Sequence, residues 1–368
     1  MDFRIGKNNL MEAVIFGGIM SKKATKGLDI LNKSRFCISK NQLVVSSTDT
    51  KTFVTKRVFM EDNIGDDTSS FCASTTDIAK ALGTLNDDFV KVSVKDGSFI
   101  IKHKKGKMKF PILEDSEFPE IRKEDEDFSF ESDTSVFCGM LDIARNFTAN
   151  DILRPILTGV FIKAEGDTLT MCGTDGNIMY TDDAKLEAYT SEGFTSIIPS
   201  SVCQIVINMA NKSDRIKVSM HKRYVTFSVS NSRVSVCTIE GKYPNFKSVI
   251  PGKSSIFASF DTKELSNTIR RLSLFSSDSS IVHFEINGNI CKFTAEDLDF
   301  SKKSSEEIDI SHDGSDITMG VKSNQMSMIL GCISSKDVTI KLTEPQKPIV
   351  YEDKNKPNMV ILQMPCII

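Results

Sequence analysis

Val90-Lys91-Val92-Ser93-Val94 is a short stretch in which apolar and polar residues alternate, and its pattern occurs three times in the chain. Its counterparts are Ile216-Lys217-Val218-Ser219-Met220 and Val338-Thr339-Ile340-Lys341-Leu342, so the copies stand roughly 123 residues apart. Alternation of this kind predicts a strand that is buried on one face only. The near-constant interval indicates that one structural unit is used three times.

Other landmarks recur with this strand and in the same order. Each unit is predicted to open with a helix, since residues that are good helix N-caps come before apolar residues at helical spacing. These openings are Asn8-Asn9, Asp133-Thr134 and Asp261-Thr262. A second helix leads into each alternating strand, with starts at Ser74, Pro199 and Lys322. The unit is therefore helix, strands, helix, strands, which predicts an α+β domain with an antiparallel sheet.

Two changes of composition mark the linkers between the units. One is the charged stretch 122–127, and the other is the stretch 249–255, which contains Pro-Gly and two serines. Together with the repeat, they predict three domains, at residues 1–124, 128–252 and 253–368. The length of 368 residues agrees with two or three domains of about 150 residues each.

Motifs that would signal an enzyme are absent from the sequence. It has no GxxxxGK[ST], GxGxxG, HExxH or GxSxG. The four histidines are far apart: His103, His221, His283 and His312. Asp309 opens a stretch that resembles a calcium loop, but Gly320 stands where the bidentate glutamate is needed. We therefore predict a protein that is not an enzyme and that has no metal and no cofactor.

The charge and the cysteines restrict the class of protein further. The formal net charge is −3, so nucleic-acid binding would require lysines and arginines gathered on one face. The nine cysteines include no CxxC pair, which is typical of reduced thiols in a cytoplasmic protein. No apolar run approaches the roughly 18 residues of a membrane span, so we expect no membrane partner.

Three similar domains without a catalytic site favour a scaffold or a ring. A unit with one helical face and one sheet face can be laid beside its copies with all helices on the same side. Two chains placed head to tail would then close a ring of six domains. Closure would also cover two sheet edges that otherwise invite aggregation.

Four motifs carry a resemblance to a known family: Ile156-Leu157-Thr158-Gly159, Thr174-Asp175-Gly176, Gly241-Lys242-Tyr243-Pro244-Asn245-Phe246 and the terminal Met364-Pro365. In their order, and with the threefold repeat, the chain resembles the bacterial sliding clamp, the β subunit of DNA polymerase III. The resemblance covers essentially the whole chain. It implies the DNA clamp fold, with two chains forming a six-domain ring, helices inside and sheets outside.

The resemblance also implies a function. A homodimer of this family encircles duplex DNA independently of sequence, as a processivity factor that tethers the replicative DNA polymerase. A separate clamp loader opens the ring, and other clamp-motif proteins bind the same clamp in the cytoplasm, at the nucleoid. Two alternatives stay open: a monomeric three-domain peptide-binding scaffold that does not encircle DNA, and a hydrolase with an unrecognised site.

A sliding ring should hold phosphates without reading bases, through cations on the helices that face the hole and with acidic residues facing outward. The alternative for each of these cations is an ordinary solvent-exposed side chain that does not contact DNA. The candidate DNA-facing residues are Lys22, Lys23, Lys26, Lys80, Arg145, Arg154, Arg270 and Arg271.

The resemblance further implies a hydrophobic cleft between the second and third domains that receives short peptides. Carried over by position, it comprises Leu157, Thr174, Gly176, Met179, Pro244, Val249, Leu362, Met364 and Pro365. The chain departs from the family pattern in this region. Asn177-Ile178 replaces a common His-Arg, Ser248 a common Arg, Gln325 an aromatic residue, and Cys366-Ile367-Ile368 a Met-Arg-Leu type ending. A less basic cleft with an altered peptide preference is therefore expected.

For the ring interface, the resemblance points to apolar residues on two elements. Met108 and Phe110 lie on a predicted edge strand of the first domain. Leu274 and Phe275 end the first helix of the third domain. Both pairs are also compatible with ordinary core positions.

Overall fold

A computed structural model of the chain describes residues 1–22, 29–63, 68–120, 126–151, 153–211, 213–276, 280–297 and 300–366. The first part of the chain forms β1 (Asp2–Gly6), α1 (Lys7–Gly17), β2 (Ser34–Ser39), β3 (Gln42–Thr48), β4 (Thr52–Phe59), β5 (Asp62–Asn63), β6 (Ser69–Ala73), α2 (Thr75–Gly83), β7 (Phe89–Lys95), β8 (Ser98–His103) and β9 (Gly106–Pro111).

The middle part follows the same scheme with longer strands. It forms β10 (Phe128–Asp133), α3 (Thr134–Asn146), β11 (Gly159–Thr174), β12 (Ile178–Pro199), α4 (Ser200–Ala210), β13 (Arg215–Met220), β14 (Tyr224–Val229) and β15 (Ser232–Cys237).

The last part completes the fold. It forms β16 (Ile256–Asp261), α5 (Thr262–Leu272), β17 (Ile281–Asn287), β18 (Ile290–Asp297), β19 (Lys302–Asp309), β20 (Ser311–Asp313), β21 (Ile317–Lys322), α6 (Ser323–Leu330), β22 (Asp337–Leu342), β23 (Ile349–Asp353) and β24 (Val360–Gln363). Short 3₁₀ turns lie at Asp29–Asn32, Pro155–Thr158, Phe246–Val249 and Ser273–Phe275.

The threefold repeat predicted from the sequence is confirmed by strand pairing. The three alternating stretches are β7, β13 and β22, and each pairs antiparallel with the strand that opens its own unit, β1, β10 and β16 respectively. In each unit the opening strand leads directly into a helix. The repeat therefore corresponds to one repeated pattern of strand pairing and not merely to similar local structure.

The predicted helix caps agree with the structure at some openings and not at others. The Asp261 side chain caps α5 by accepting a hydrogen bond from the Glu264 amide at 2.9 Å, and Ser74 likewise caps α2. The prediction for α1 is wrong, since this helix begins at Lys7 after Gly6 and has no side-chain cap. Asn8 and Asn9 lie inside the first turn instead.

The chain divides into two compact units. The first comprises residues 1–138 and 201–238. It holds a five-stranded antiparallel sheet in the order β5-β1-β7-β8-β9 and an eight-stranded sheet in the order β10-β13-β14-β15-β4-β3-β2-β6. Its core gathers apolar residues of α1 and α2 with the inner faces of the strands around Phe36, Phe71 and Phe99.

The second compact unit comprises residues 139–200 and 239–368. It holds a seven-stranded sheet in the order β11-β12-β24-β23-β22-β16-β20 and a four-stranded sheet in the order β19-β18-β17-β21. One of its core clusters gathers Phe161, Cys172, Met179, Ile197, Tyr243, Phe246, Val350 and Leu362. This cluster forms the floor of the site described below.

Each large sheet joins strands from two repeats. In the eight-stranded sheet β15 pairs with β4, and in the seven-stranded sheet β12 pairs with β24. The two compact units are defined by contacts within the chain, and they do not coincide with the three repeats. The domain boundaries predicted at residues 124 and 252 stay predictions. Within the described residues, no helix is both long and apolar enough to cross a membrane.

Candidate functional site

A largely apolar cavity of about 190 Å³ opens on the second compact unit. Its wall contains eight of the nine residues predicted for a peptide-binding cleft. The full set is Leu157, Thr174, Gly176, Asn177, Ile178, Met179, Pro244, Asn245, Phe246, Val249, Pro348, Leu362 and Met364. Residues that are far apart in sequence thus meet at one surface.

Pairing between strands brings the floor of the cavity together. Met179 on β12 stands opposite Leu362 on β24, and both side chains are buried. The rings of Phe161, Tyr243 and Phe246 pack around them, with 5.0 Å between the centroids of Phe161 and Tyr243. These buried side chains form a close-packed apolar layer beneath the cavity.

The Thr174-Asp175-Gly176 turn forms one wall. The Thr174 hydroxyl donates to the Ile178 carbonyl at 2.6 Å, and an Asp175 carboxylate oxygen accepts from the Asn177 and Ile178 amides at 2.7 and 2.8 Å. Gly176 has a φ of +93°, which L side chains rarely adopt. The motif therefore forms a hydrogen-bonded turn, and this turn also shapes the cavity.

The rim of the cavity leaves apolar side chains open to solvent. Val249 is 51% exposed and Met364 is 41% exposed, although both are apolar and face the cavity. Exposed apolar residues around a concavity are typical of a surface that binds an apolar ligand.

The end of the chain is held against the same unit by main-chain hydrogen bonds. The Met364 amide donates to the Asn177 carbonyl, and the Cys366 amide donates to the Gly320 carbonyl, each at 2.7 Å. Met364 therefore reaches the cavity from an anchored backbone. The structure does not place Pro365 on the wall, because side chains of an extended backbone alternate in direction after β24 ends. Ile367 and Ile368 lie outside the described residues.

Some wall residues were not assigned to the cleft from the sequence. Phe246 belongs to the motif at residues 241–246, and Asn177 and Ile178 depart from the family pattern. Nothing in the sequence pointed to Pro348, which comes to the cavity just before β23. Ser248 is not on the wall, and its hydroxyl donates to the Asn245 carbonyl at 2.6 Å.

Buried titratable groups beneath the cavity are kept neutral. Burial raises the pKa of the Cys172 thiol to about 12, and burial also raises the pKa of the Tyr243 hydroxyl. The Tyr243 hydroxyl donates to the Cys172 carbonyl at 3.4 Å. These groups contribute packing and not acid or base chemistry. No group of three potential ligands positioned to hold a metal occurs among the described residues.

The described DNA-facing candidates of the first compact unit are one lysine in the last turn of a helix and one in the turn that follows a helix. Lys80 is exposed in the last turn of α2, where a cation also stabilises the helix dipole. Lys22 is exposed in the turn that follows α1. Lys23 and Lys26 lie outside the described residues.

In the second compact unit, three of the four predicted arginines are paired with acids. Arg145 contacts Asp142 at 2.7 Å, and Arg154 contacts Asp151 at 3.0 Å. Arg271 reaches the carboxylate of Glu306 with two nitrogens, at 2.5 and 2.8 Å.

Arg270 differs from these three, because it donates to the neutral Asn267 side chain at 2.9 Å. Within the described residues it has no carboxylate oxygen within 4.0 Å. Arg270 is therefore the arginine of this set that is most available to a phosphate.

The residues predicted for a ring interface differ in exposure. Met108 and Phe110 are half-buried on β9, the edge strand of the five-stranded sheet, and pack against the core of their unit. Leu274 is 72% exposed and Phe275 is 37% exposed in the 3₁₀ turn after α5. The second pair thus leaves apolar surface uncovered within this chain.

Three family models match the chain in order. They are the N-terminal domain of the DNA polymerase III beta subunit over residues 1–122, its central domain over residues 142–245, and its C-terminal domain over residues 247–367. A beta sliding clamp of Pseudomonas aeruginosa is 18% identical over 369 residues, covering 99% of both chains. A beta sliding clamp of Synechocystis is 23% identical over 235 residues, covering 59% of this chain and 60% of the relative.

Solved structures show the same fold. The DNA polymerase III subunit beta of Pseudomonas aeruginosa superposes with a TM-score of 0.94 at 16% identity, over 100% of both chains. The DNA polymerase III beta subunit of Thermotoga maritima gives a TM-score of 0.90 at 20% identity, over 100% of this chain and 99% of that one. A further structure is of the Pseudomonas aeruginosa clamp bound to griselimycin, again with a TM-score of 0.94, at 16% identity and over 100% of both chains.

Proposed function

The chain belongs to the DNA polymerase III beta subunit family, and from that membership we propose that two copies close a ring around duplex DNA and bind partner peptides in the cavity. The family consists of sliding clamps, which are processivity factors of DNA polymerase and catalyse no reaction. The chain has their three-domain α+β fold. The observation that carries the proposal is the match of all three domain models, in order, along nearly the whole chain.

Ring closure between two copies is supported by edges that the described part of the chain leaves open. β9 ends the five-stranded sheet, and β19 ends the four-stranded sheet. Open edges invite pairing with another chain, and a closed head-to-tail dimer would cover both. Leu274 and Phe275 add exposed apolar surface that a second copy would bury.

Contact with duplex DNA is supported by cations at the ends of helices. Exposed lysines and arginines that bind phosphates, without side chains placed to read bases, give sequence-independent attraction. Ion pairs partly neutralise Arg145, Arg154 and Arg271. The resulting attraction is weak at each contact, as a sliding protein requires.

The cavity supports peptide binding by the polymerase, the clamp loader and other clamp-motif proteins. Its close-packed apolar floor and exposed apolar rim suit short apolar side chains. No lysine or arginine lies on its wall among the described residues. We therefore expect peptides that bind through apolar anchors more than through acidic residues, and a place of action at replicating DNA in the cytoplasm.

The deciding experiment measures mass and topology together. Sedimentation at micromolar concentration should give twice the chain mass of 40.9 kDa. The protein should stay on a nicked circular DNA after loading and leave once the circle is linearised. A strictly monomeric chain that still binds clamp-motif peptides would favour the alternative, a peptide-binding scaffold without DNA encirclement. Griselimycin, bound by the Pseudomonas aeruginosa clamp, is a ready probe of small-molecule binding to this chain.

A further inference from the structure

Four cations form a straight row across the five-stranded sheet of the first compact unit. Arg4 on β1 stands opposite Lys91 on β7, Lys91 stands opposite Lys102 on β8, and Lys102 stands opposite Lys107 on β9. Because neighbouring strands lie about 4.8 Å apart, this cation row spans about 14 Å. It runs perpendicular to the strands.

The cation row lies on the face of the sheet that is turned away from the core. Residues directly opposite each other in antiparallel strands share a face, and successive residues alternate between faces. Ile5, Val90 and Ile101, each next in sequence to a member of the row, belong to the core cluster. All four cations are exposed. This face therefore departs from the acidic outer surface expected from the sequence.

Few carboxylates offset the charge of the row. A Glu61 oxygen lies 3.7 Å from Nε of Arg4. A hydrogen bond with Ser93 lowers the pKa of Asp2, and Lys102 lowers it further, so this acid stays ionised beside the row. Within the described residues, however, no carboxylate oxygen lies within 4.0 Å of the ammonium groups of Lys91, Lys102 or Lys107.

Like charges placed directly opposite each other in a sheet are destabilising. A bound polyanion would relieve that repulsion. Further lysines extend the positive surface beyond the row. Lys109 lies on the same face of β9, and Lys104 and Lys105 lie in the β8–β9 turn.

The chemistry of this face distinguishes a nucleic acid from an acidic protein. Protein interfaces depend on buried apolar anchors, whereas the row and its extension are lysines and an arginine. The exposed aromatic side chain beside them is Phe89, whose ring lies 4.4 Å from the Arg4 guanidinium carbon. Cations that track a backbone, together with an exposed aromatic ring, are typical of surfaces that bind single strands.

The geometry points to a second DNA-binding surface on this chain: the row Arg4, Lys91, Lys102 and Lys107 binds the phosphate backbone of single-stranded DNA on the face of the five-stranded sheet. This contact needs neither the hole of a ring nor a clamp loader. It is therefore separate from the encirclement of duplex DNA, and an experiment can contradict either proposal without contradicting the other.

The probe is a small covalently closed circle of oligodeoxythymidine, which cannot be threaded through a closed ring without opening it. Fluorescence anisotropy of the full chain without a loader should show binding that weakens with salt. The triple variant Lys91→Gln, Lys102→Gln, Lys107→Gln should lose most of that binding. The slope of log affinity against log salt should fall by about 2, since each neutralised phosphate of a single strand contributes about 0.7.

A matched variant controls for the loss of charge. Lys185→Gln, Lys347→Gln, Lys354→Gln removes three exposed lysines from the other compact unit and should leave circle binding unchanged. Equal loss in both triple variants would overturn the assignment, as would a row variant that binds like the parent. A preference for closed duplex circles, or for polyglutamate in place of the circle, would also overturn it. Loading of the row variant on nicked duplex circles reports separately on the clamp function.

Discussion

The guanidinium of Arg154 donates from Nη1 to the main-chain oxygen of Asp175, 3.1 Å away. This contact joins the loop before the 3₁₀ turn Pro155–Thr158 to the turn that forms one wall of the cavity. Arg154 also donates from Nε to Asp151 at 3.0 Å, so two of its three guanidinium nitrogens are engaged. A residue predicted from sequence to face DNA thus lies at the candidate peptide site.

Replacing Arg154 by glutamine should therefore weaken peptide binding. The turn at Asp175 would lose a charged donor at an exposed position, a change of about 1 kcal/mol, which corresponds to about fivefold in affinity. Anisotropy with a fluorescent clamp-motif peptide measures the effect. Arg145→Gln is the matched control, since Arg145 pairs with Asp142 and does not touch the cavity turn. If Arg154→Gln left the peptide affinity unchanged but impaired loading on DNA, Arg154 would contact DNA and would not support the peptide site.

The repeat could be predicted from the sequence because it depends on local patterns of apolar and polar residues, whereas most of the cavity wall was predicted by position from the family resemblance. Alternation identified β7, β13 and β22, and the resemblance identified Thr174-Asp175-Gly176 as part of the cleft. The alternation of apolar and polar residues in a strand does not specify which other strand pairs with it. The pairing of Val54 with Val234, which continues one sheet through two repeats, therefore could not be predicted.

The charged side chains show the same limit. The sequence gives the positions of Arg270 and Arg271 on one helix, but it does not show that Glu306 on β19 lies beside only one of them. Pro348 is a similar case, since its place on the cavity wall depends on the pairing of β23 with β24. Contacts of this kind are set by the register between strands and become visible only in three dimensions.

Neutralising Arg270 should impair sliding more than neutralising Arg271. Arg271 donates two hydrogen bonds to Glu306. Arg271 would have to break both of them in order to bind a phosphate. Arg270 donates to Asn267 and keeps its charge available. We expect Arg270→Gln to shorten the lifetime of the loaded clamp on nicked circular DNA, and Arg271→Gln to have the smaller effect. The reverse order would show that Arg271 exchanges Glu306 for phosphate on DNA.

Removing residues 364–368 should abolish binding of the clamp-motif peptide. The truncation takes away the Met364 side chain from the rim and the hydrogen bond from its amide to Asn177. Because the deletion also removes the Cys366 amide that bonds to Gly320, thermal unfolding should be followed in parallel. Met364→Ser keeps the backbone and tests the side chain alone. Full affinity in both variants would place the peptide site elsewhere.

Two glycines should respond to alanine in opposite directions. A Cβ atom on Gly173 would lie 2.0 Å from the Ala144 carbonyl oxygen and 3.3 Å from Cβ of Phe147, so Gly173→Ala forces the strand away from the end of α3. We expect a loss of about 1–3 kcal/mol in the free energy of unfolding.

Gly139 is the matched control, since it is exposed inside α3 and has no neighbour within 4 Å of the added atom. Gly139→Ala should raise the free energy of unfolding by about 0.5–1 kcal/mol, because alanine restricts the unfolded chain and suits a helix. Chemical denaturation of both variants measures the pair. A Gly173→Ala protein as stable as the parent would mean that β11 and α3 separate at little cost.

Asp182 should make the protein less stable as the pH rises. The carboxylate accepts a hydrogen bond from the Tyr180 hydroxyl at 3.2 Å, but burial raises the pKa of Asp182 above its ordinary value of 3.8. At a pH between the ordinary pKa, which applies to the unfolded chain, and the raised pKa of the folded chain, the folded chain holds a proton that the unfolded chain has released. The free energy of unfolding therefore falls with increasing pH. Asp182→Asn is neutral in both states and removes this slope. The stability of the parent relative to Asp182→Asn should therefore decline from about pH 4 upward.

Asp115 provides a control of opposite sign. Burial opposes its ionisation, yet hydrogen bonds from Ser70 and Arg35 hold the pKa of Asp115 below its ordinary value. Its ionised form therefore stabilises the fold, and that contribution is lost as the pH falls through the folded pKa. The stability of the parent relative to Asp115→Asn should rise with pH over the acidic range, while the difference from Asp182→Asn falls. Two differences with the same sign would show that burial does not control the titration of Asp182.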